Sequence, residues 1–269
     1  MLIVAYVINF LGIILLPILA WIYFARRFQL SWKLILAGGL TFIASQIPHI
    51  PLLQVLTAMF KNGTLPSPPQ SWSLIFNAVL LGLLAGIFEE TARLILFKFV
   101  LKKVHTWKEG ILVGLGHGGT EAVILGILAA LAFFRMLAYR NVDLSTIPSI
   151  PADQLTLAKQ QVAAYWSAPV FSALAGVIER AFAICLHVSL SAMVLYSIAA
   201  RKSLWYWIAL LWHALIDGVA VVLGGLHVSV LGQEGFVGLM AILSLGILFA
   251  LRPKFPETPS AAANEASPA

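Results

Sequence analysis

Seven stretches of the chain, at about 3–24, 34–59, 72–97, 110–134, 168–200, 204–226 and 235–251, stay apolar over the length needed to cross a bilayer. A helix rising ~1.5 Å per residue covers a ~30 Å hydrocarbon core in about 20 residues. Hydrocarbon offers no partner to a backbone amide or carbonyl, so a spanning segment must be helical or belong to a closed barrel. Continuous runs of this length predict helices. The expected fold is all-α: a polytopic membrane helical bundle of about seven transmembrane helices. Composition agrees, with 61% of the 269 residues apolar and 10% charged; soluble domains carry roughly 45–50% and about 25%. A water-soluble globule is thereby excluded, and so is disorder outside a short tail. A single cysteine, Cys185, excludes an intrachain disulfide framework and any multi-cysteine zinc or iron–sulfur site; packing accounts for it.

The basic residues orient the bundle. The first stretch has no basic segment before it and is followed by Arg26 and Arg27, so it reads as a span and not as a cleaved signal peptide. Eleven cations (Arg26, Arg27, Lys33, Lys98, Lys102, Lys103, Lys108, Arg201, Lys202, Arg252 and Lys254) then fall on one side, and four (Lys61, Arg135, Arg140 and Lys159) on the other. Positive residues stay on the cytoplasmic side. The expectation is an N-terminus outside, a C-terminus in the cytoplasm, and residence in the cell's inner membrane. The net charge of +6 is then a topology device facing an anionic lipid bilayer, with no nucleic-acid partner implied. Most tryptophans, Trp21 among them, lie near span ends as interfacial anchors.

Between the spans, 61–71 reads as a Pro/Ser/Gly-rich loop, and 154–165 as a short interfacial helix in the longest outside loop. Residues 1–251 form one membrane domain with its catalytic-like core at 72–226. Residues 252–269, rich in proline, read as a disordered cytoplasmic tail.

Ionisable residues inside the spans carry the functional signal. Each costs about 2.5–3.5 kcal/mol to insert, so Glu89, Glu90 and Arg93 in the third span must face protein or water. The fourth span adds His117 and Glu121, the fifth Glu179, Arg180 and His187, and the sixth His213 and Asp217. At ~1.5 Å per residue from the basic rim, Glu90 lies ~12 Å deep, His117 ~10 Å, Glu121 ~16 Å, His213 ~14 Å, Asp217 ~20 Å and His187 ~21 Å. Those depths define one slab. Glu179 and Arg180 come out at ~31–33 Å and read as a pair at the outer interface. His49, between Pro48 and Pro51, has no partner at its depth and reads as part of a kink.

His117 and Glu121 are four residues apart, as are His213 and Asp217, so each pair stacks on one helical face. Residues one turn apart can share a metal. Imidazoles and carboxylates without thiolate are a zinc-type set, which makes His117, Glu121, His187, His213 and Asp217 the candidate ligands of a divalent metal, zinc. Zinc lowers the pKa of its water towards ~7. Glu89 and Glu90 can supply the general base, Glu90 preferred, with Arg93 one turn away to hold charge. Each pair could equally be an interhelical hydrogen bond that stabilises the bundle, and Asp, Glu and His chains also serve as proton relays.

With its motifs Glu89-Glu90-Thr91-Ala92-Arg93, His117-Gly118-Gly119-Thr120-Glu121 and His213-Ala214-Leu215-Ile216-Asp217, the chain resembles the YhfC family of intramembrane metalloproteases. That family is grouped with the type II CAAX-prenyl proteases, the PrsW site-1 proteases and a non-catalytic subunit of gamma-secretase. The group carries EExxxR or EExxK on one helix, FxxxH or FxxxE on a second, and HxxxN or HxxxD on another. Here His117 replaces the phenylalanine and Glu121 takes the second position. The resemblance implies that one glutamate of Glu89/Glu90 activates water and that Glu121, His213 and Asp217 form the metal or water site. His187 matches a further intramembrane histidine. The expected function is a metal-dependent intramembrane peptidase acting on membrane-associated proteins or peptides. The alternatives are a non-catalytic scaffold of the same group and a proton-coupled transporter.

Overall fold

The computed structural model describes residues 1–148 and 150–255, and within them the apolar stretches become helices. The helices are α1 (Leu2–Phe28), α2 (Lys33–Lys61), α3 (Ser73–Ile95), α4 (Trp107–Tyr139), α5 (Leu155–Ser167), α6 (Val170–Ala199), α7 (Leu204–Gly225) and α8 (Val230–Leu251). All but α5 are long and apolar enough to cross a membrane, and no strand occurs among the described residues. The fold is the expected all-helical one. α5 is the short helix expected in the outside loop. α8 begins at Val230 and not at 235, which brings the buried Glu234 into its first turns. Of the expected tail, Arg252–Lys254 form a 3-10 turn and Phe255 packs on Tyr196, ring centroids 5.3 Å apart; 256–269 lie outside the described residues. α2 continues as one helix past Pro48 and Pro51. His49 is buried there and stacks on Phe88.

α6 is the axle of the bundle. It packs against α1, α3, α4, α7 and α8, and 72% of its most apolar stretch is buried, against 17–39% in the other spans. Lipid gives helices no hydrophobic reason to associate, so close packing through small residues must do it. Glycines supply that approach. A Cβ on Gly116 of α4 would lie 2.0 Å from the Ile35 carbonyl oxygen of α2, and one on Gly82 of α3 would lie 2.3 Å from the Ala214 carbonyl oxygen of α7. On the other face of α4, a Cβ at Gly114 would meet the Val188 Cα of α6 at 2.5 Å. These crossings press α3 onto α7 and α4 onto α6, the four helices that carry the ionisable residues. Because the Gly116 contact is with backbone, no side chain can yield. Gly116→Leu is expected to cost about 1–3 kcal/mol, the usual range for overpacking. Thermal unfolding in detergent reads it directly; an unchanged midpoint would mean the crossing does not need a glycine.

The start of α4 is pinned by a capping box: the Thr106 hydroxyl accepts from the Glu109 amide, and Glu109 Oε2 accepts from the Thr106 amide at 2.8 Å. That fixes the height of His117 and Glu121, which lie three and four turns further on. Trp21, near the basic end of α1, also ties two helices together. Gly119 leaves room for its indole, whose Nε1 donates to the Leu115 carbonyl at 2.7 Å between α1 and α4.

Candidate functional site

The eight residues singled out in the sequence meet in one connected network where α3, α4, α6 and α7 adjoin. Glu89 is its hub: the carboxylate oxygen Oε2 lies 3.0 Å from His117 Nε2, 3.7 Å from an Arg93 nitrogen, and 4.0 Å from both His187 Nδ1 and His213 Nε2. Gln46 of α2 donates to the other oxygen at 3.3 Å. Next along the helix, Glu90 is fully buried and accepts from Arg93, also fully buried, through Oε1. The same oxygen lies 2.7 Å from His213 Nδ1, while Glu90 Oε2 has no partner.

The tautomer of His187 follows from its neighbour. Arg93 can only donate, so the contact of 2.7 Å between its second terminal nitrogen and His187 Nδ1 makes Nδ1 the acceptor. The ring proton then sits on Nε2, which faces Glu121 Oε2 at 2.6 Å, close but not aligned as a hydrogen bond. Arg180 donates to Glu121 Oε1 at 2.8 Å and also to Glu179. His213 Nε2 lies 3.4 Å from Asp217 Oδ2, the most exposed carboxylate of the set at 45%.

Two features give this network chemical potential. Five carboxylates (Glu89, Glu90, Glu121, Glu179 and Asp217) share the region with only two guanidiniums, Arg93 and Arg180, so it is formally negative while the histidines are neutral. An excess of anion inside a bundle is costly unless a cation offsets it. The second feature is a cavity of about 70 Å³, lined by Glu89, Glu121, Arg180, His187, His213 and Asp217. Polar and larger than the ~15 Å³ that one water needs, it can hold water.

Glu89, His117 and His187 are the one group among the described residues whose donor atoms could hold a metal together, all lying within 4.8 Å of one another and all buried. Two imidazoles and a carboxylate with an open fourth position are the donor set of a catalytic zinc site. His117 Nδ1 is buried without a partner, so one ring nitrogen of this residue is left polar and unsatisfied beside the group. By donor type, charge and burial, these residues fit a divalent cation.

The placement differs in part from the sequence expectation. His117 and His187 belong to the cation-competent group, but Glu121, His213 and Asp217, also expected as ligands, stand around it with other partners. Glu89, expected in acid–base work, is itself in the group. Glu90, the preferred base, does not line the cavity, because Arg93 and His213 engage it from inside. Arg180, placed at the outer rim by helix arithmetic, is instead a full member through Glu121. Gln46 escaped a search confined to ionisable residues. Its signal was present: an amide inside an apolar span, ~20 Å along α2 from Lys33, the depth reckoned for Asp217 and His187.

Comparison with known proteins covers the whole network. A model of the family described as YhfC intramembrane metalloprotease matches residues 12–245. The uncharacterized membrane protein YhfC of Bacillus subtilis (strain 168) is 32% identical over 241 residues, 86% of this chain and 89% of the relative. No solved structure matches the chain.

Proposed function

The chain belongs to the YhfC intramembrane metalloprotease family, and on that footing we propose that it hydrolyses peptide bonds of membrane-associated proteins or peptides with a bound divalent cation, zinc by the nature of the donors. One observation carries this reading: Glu89, His117 and His187 bring three donors within 4.8 Å of one another, in a formally negative interior beside a water-sized cavity.

Glu89, His117 and His187 would hold the cation. When bound, such a cation acts as a Lewis acid and lowers the pKa of water towards ~7. Glu121 faces the far nitrogen of His187 at 2.6 Å and acts on that ring by its charge. His213 moves the proton. Its Nδ1 is oriented by Glu90 Oε1, its Nε2 faces the cavity, and Asp217 stands 3.4 Å beyond on the more open side. An imidazole oriented by a carboxylate accepts a proton at its free nitrogen and returns it to the leaving amine. Glu90 and Arg93 are the buried pair that fixes His213. This assignment moves the base from glutamate to histidine, since Glu90 does not reach the cavity.

The positive-inside pattern supports an N-terminus outside, a cytoplasmic C-terminus and residence in the inner membrane, with cleavage towards the cytoplasmic leaflet. One observation favours the rival, a non-catalytic scaffold: Arg93 donates to His187 Nδ1 and so uses a lone pair that a cation would take.

The test is full-length protein in liposomes with self-quenched transmembrane peptides as reporters. Cleavage is expected, a chelator should remove it and zinc restore it, and His213→Ala should lower it by about 10²–10⁴-fold, the usual worth of general acid–base catalysis. Absence of cleavage, or cleavage indifferent to chelator and to His213→Ala, would end the reading and leave the scaffold.

A further inference from the structure

On the opposite flank of α6 from the ionisable network lies a second, larger cavity that the proposed chemistry does not use. It has a volume of about 590 Å³ and is walled by α1, α4, α6 and α8. α4 packs on α1 and α6, and α8 packs on α6, leaving a groove between α4 and α8. Its interior is apolar, with Leu16, Ala20, Ile111, Leu115, Ile184 and Leu245 among the lining residues. At one end stand three exposed cations, Arg27, Lys108 and Arg252, and the lining holds no carboxylate.

Those cations are held at the rim. The Lys108 ammonium lies 5.7 Å from the centre of the Phe28 ring, and the Arg252 guanidinium 5.2 Å from Trp107. Trp107 is itself fixed, donating from Nε1 to the Leu248 carbonyl at 2.9 Å. Arg27, Lys108 and Arg252 form no ion pair with a carboxylate among the described residues. Along α1, Leu16 lies about 16 Å below Arg27. That matches half of a ~30 Å hydrocarbon core, the depth of one leaflet.

We propose that this groove is a binding site for an anionic phospholipid, with the phosphate at Arg27, Lys108 and Arg252 and an acyl chain laid between α4 and α8. An apolar groove in a bilayer accepts any acyl chain, so the tail alone gives no selectivity. The headgroup supplies it: three cations converging on one rim, without a competing carboxylate, suit a negative phosphodiester that lacks a compensating ammonium. Basic pockets between transmembrane helices recognise anionic headgroups in this way.

The experiment uses full-length protein in zwitterionic detergent, titrated with phosphatidylglycerol, with phosphatidylcholine of the same chains, and with inorganic phosphate, and followed by thermal unfolding. Phosphatidylglycerol is expected to raise the midpoint at roughly 10–100-fold lower concentration than phosphatidylcholine, the preference that a few juxtamembrane cations confer. Inorganic phosphate should not reproduce the shift. The triple variant Arg27→Gln, Lys108→Gln, Arg252→Gln, all exposed positions, should respond to the two lipids alike. Lys102→Gln, Lys103→Gln, Lys202→Gln removes as much charge from the same side and should keep the preference. Equal response of the wild type to both lipids, a preference that survives the first triple variant, or one lost in the second would overturn the site.

Discussion

Arg93→Met is expected to destabilise the protein by about 3–5 kcal/mol, the cost of stripping one partner from a fully buried ion pair. Arg93 and Glu90 are each inaccessible to solvent, and Glu90 Oε2 already lacks a donor. Without the guanidinium, Glu90 would keep only His213, and His187 Nδ1 would lose its donor as well. Methionine fills similar space, so the loss reads electrostatics and hydrogen bonding more than a void. Unfolding of the micelle-bound protein by a titrated denaturing detergent measures the difference. Adding Glu90→Gln should recover part of the loss, because coupled partners are not additive. The comparison that sharpens it is Arg180→Met. Its partners Glu121 and Glu179 are 20% and 42% exposed, so its loss should be much smaller. A change below about 1 kcal/mol for Arg93→Met would show that the buried pair does not hold α3 in place.

The second large effect is expected from His117→Ala. The imidazole is fully buried, its Nε2 is 3.0 Å from Glu89, and its other nitrogen has no partner. A structural histidine with one hydrogen bond would, on removal, mainly leave a cavity. A ligand would take the cation with it. Removal of an outer hydrogen-bonding partner already costs a metal site about 10–100-fold in affinity or activity, so loss of a ligand should cost more than that. Peptide cleavage in liposomes should fall accordingly, with the thermal midpoint lowered by no more than an ordinary core truncation gives.

The spans and most of the site were legible in the sequence for the same reason: charge in hydrocarbon is expensive, so both the apolar runs and their exceptions stand out. Helix rise then gave depths, and the ionisable residues of the four helices that share a depth do meet in one contact network. The failures come from what such arithmetic omits. Arg180 was placed too far out because the rims were taken a few residues from the true helix ends. With α4 starting at Trp107 and α6 ending at Ala199, Arg180 and Glu121 differ in height by about 8 Å. An arginine side chain and helix tilt cover most of that. The roles of Glu89 and Glu90 were not separable in one dimension either. Adjacent residues on a helix point about 100° apart, so only the packing of α3 on α7 decides that Glu89 faces the cavity while Glu90 turns inward to Arg93 and His213.

Elemental analysis of the detergent-purified full-length protein asks most directly whether Glu89, His117 and His187 hold a cation. Wild type should carry about one divalent ion per chain, zinc first among them, as three protein ligands with an open position bind one ion. His117→Ala should lose it while Lys102→Gln retains it. A wild type that stays empty after exposure to zinc, or a His117→Ala variant that keeps the full complement, would contradict the assignment and return these residues to the role of a buried polar framework.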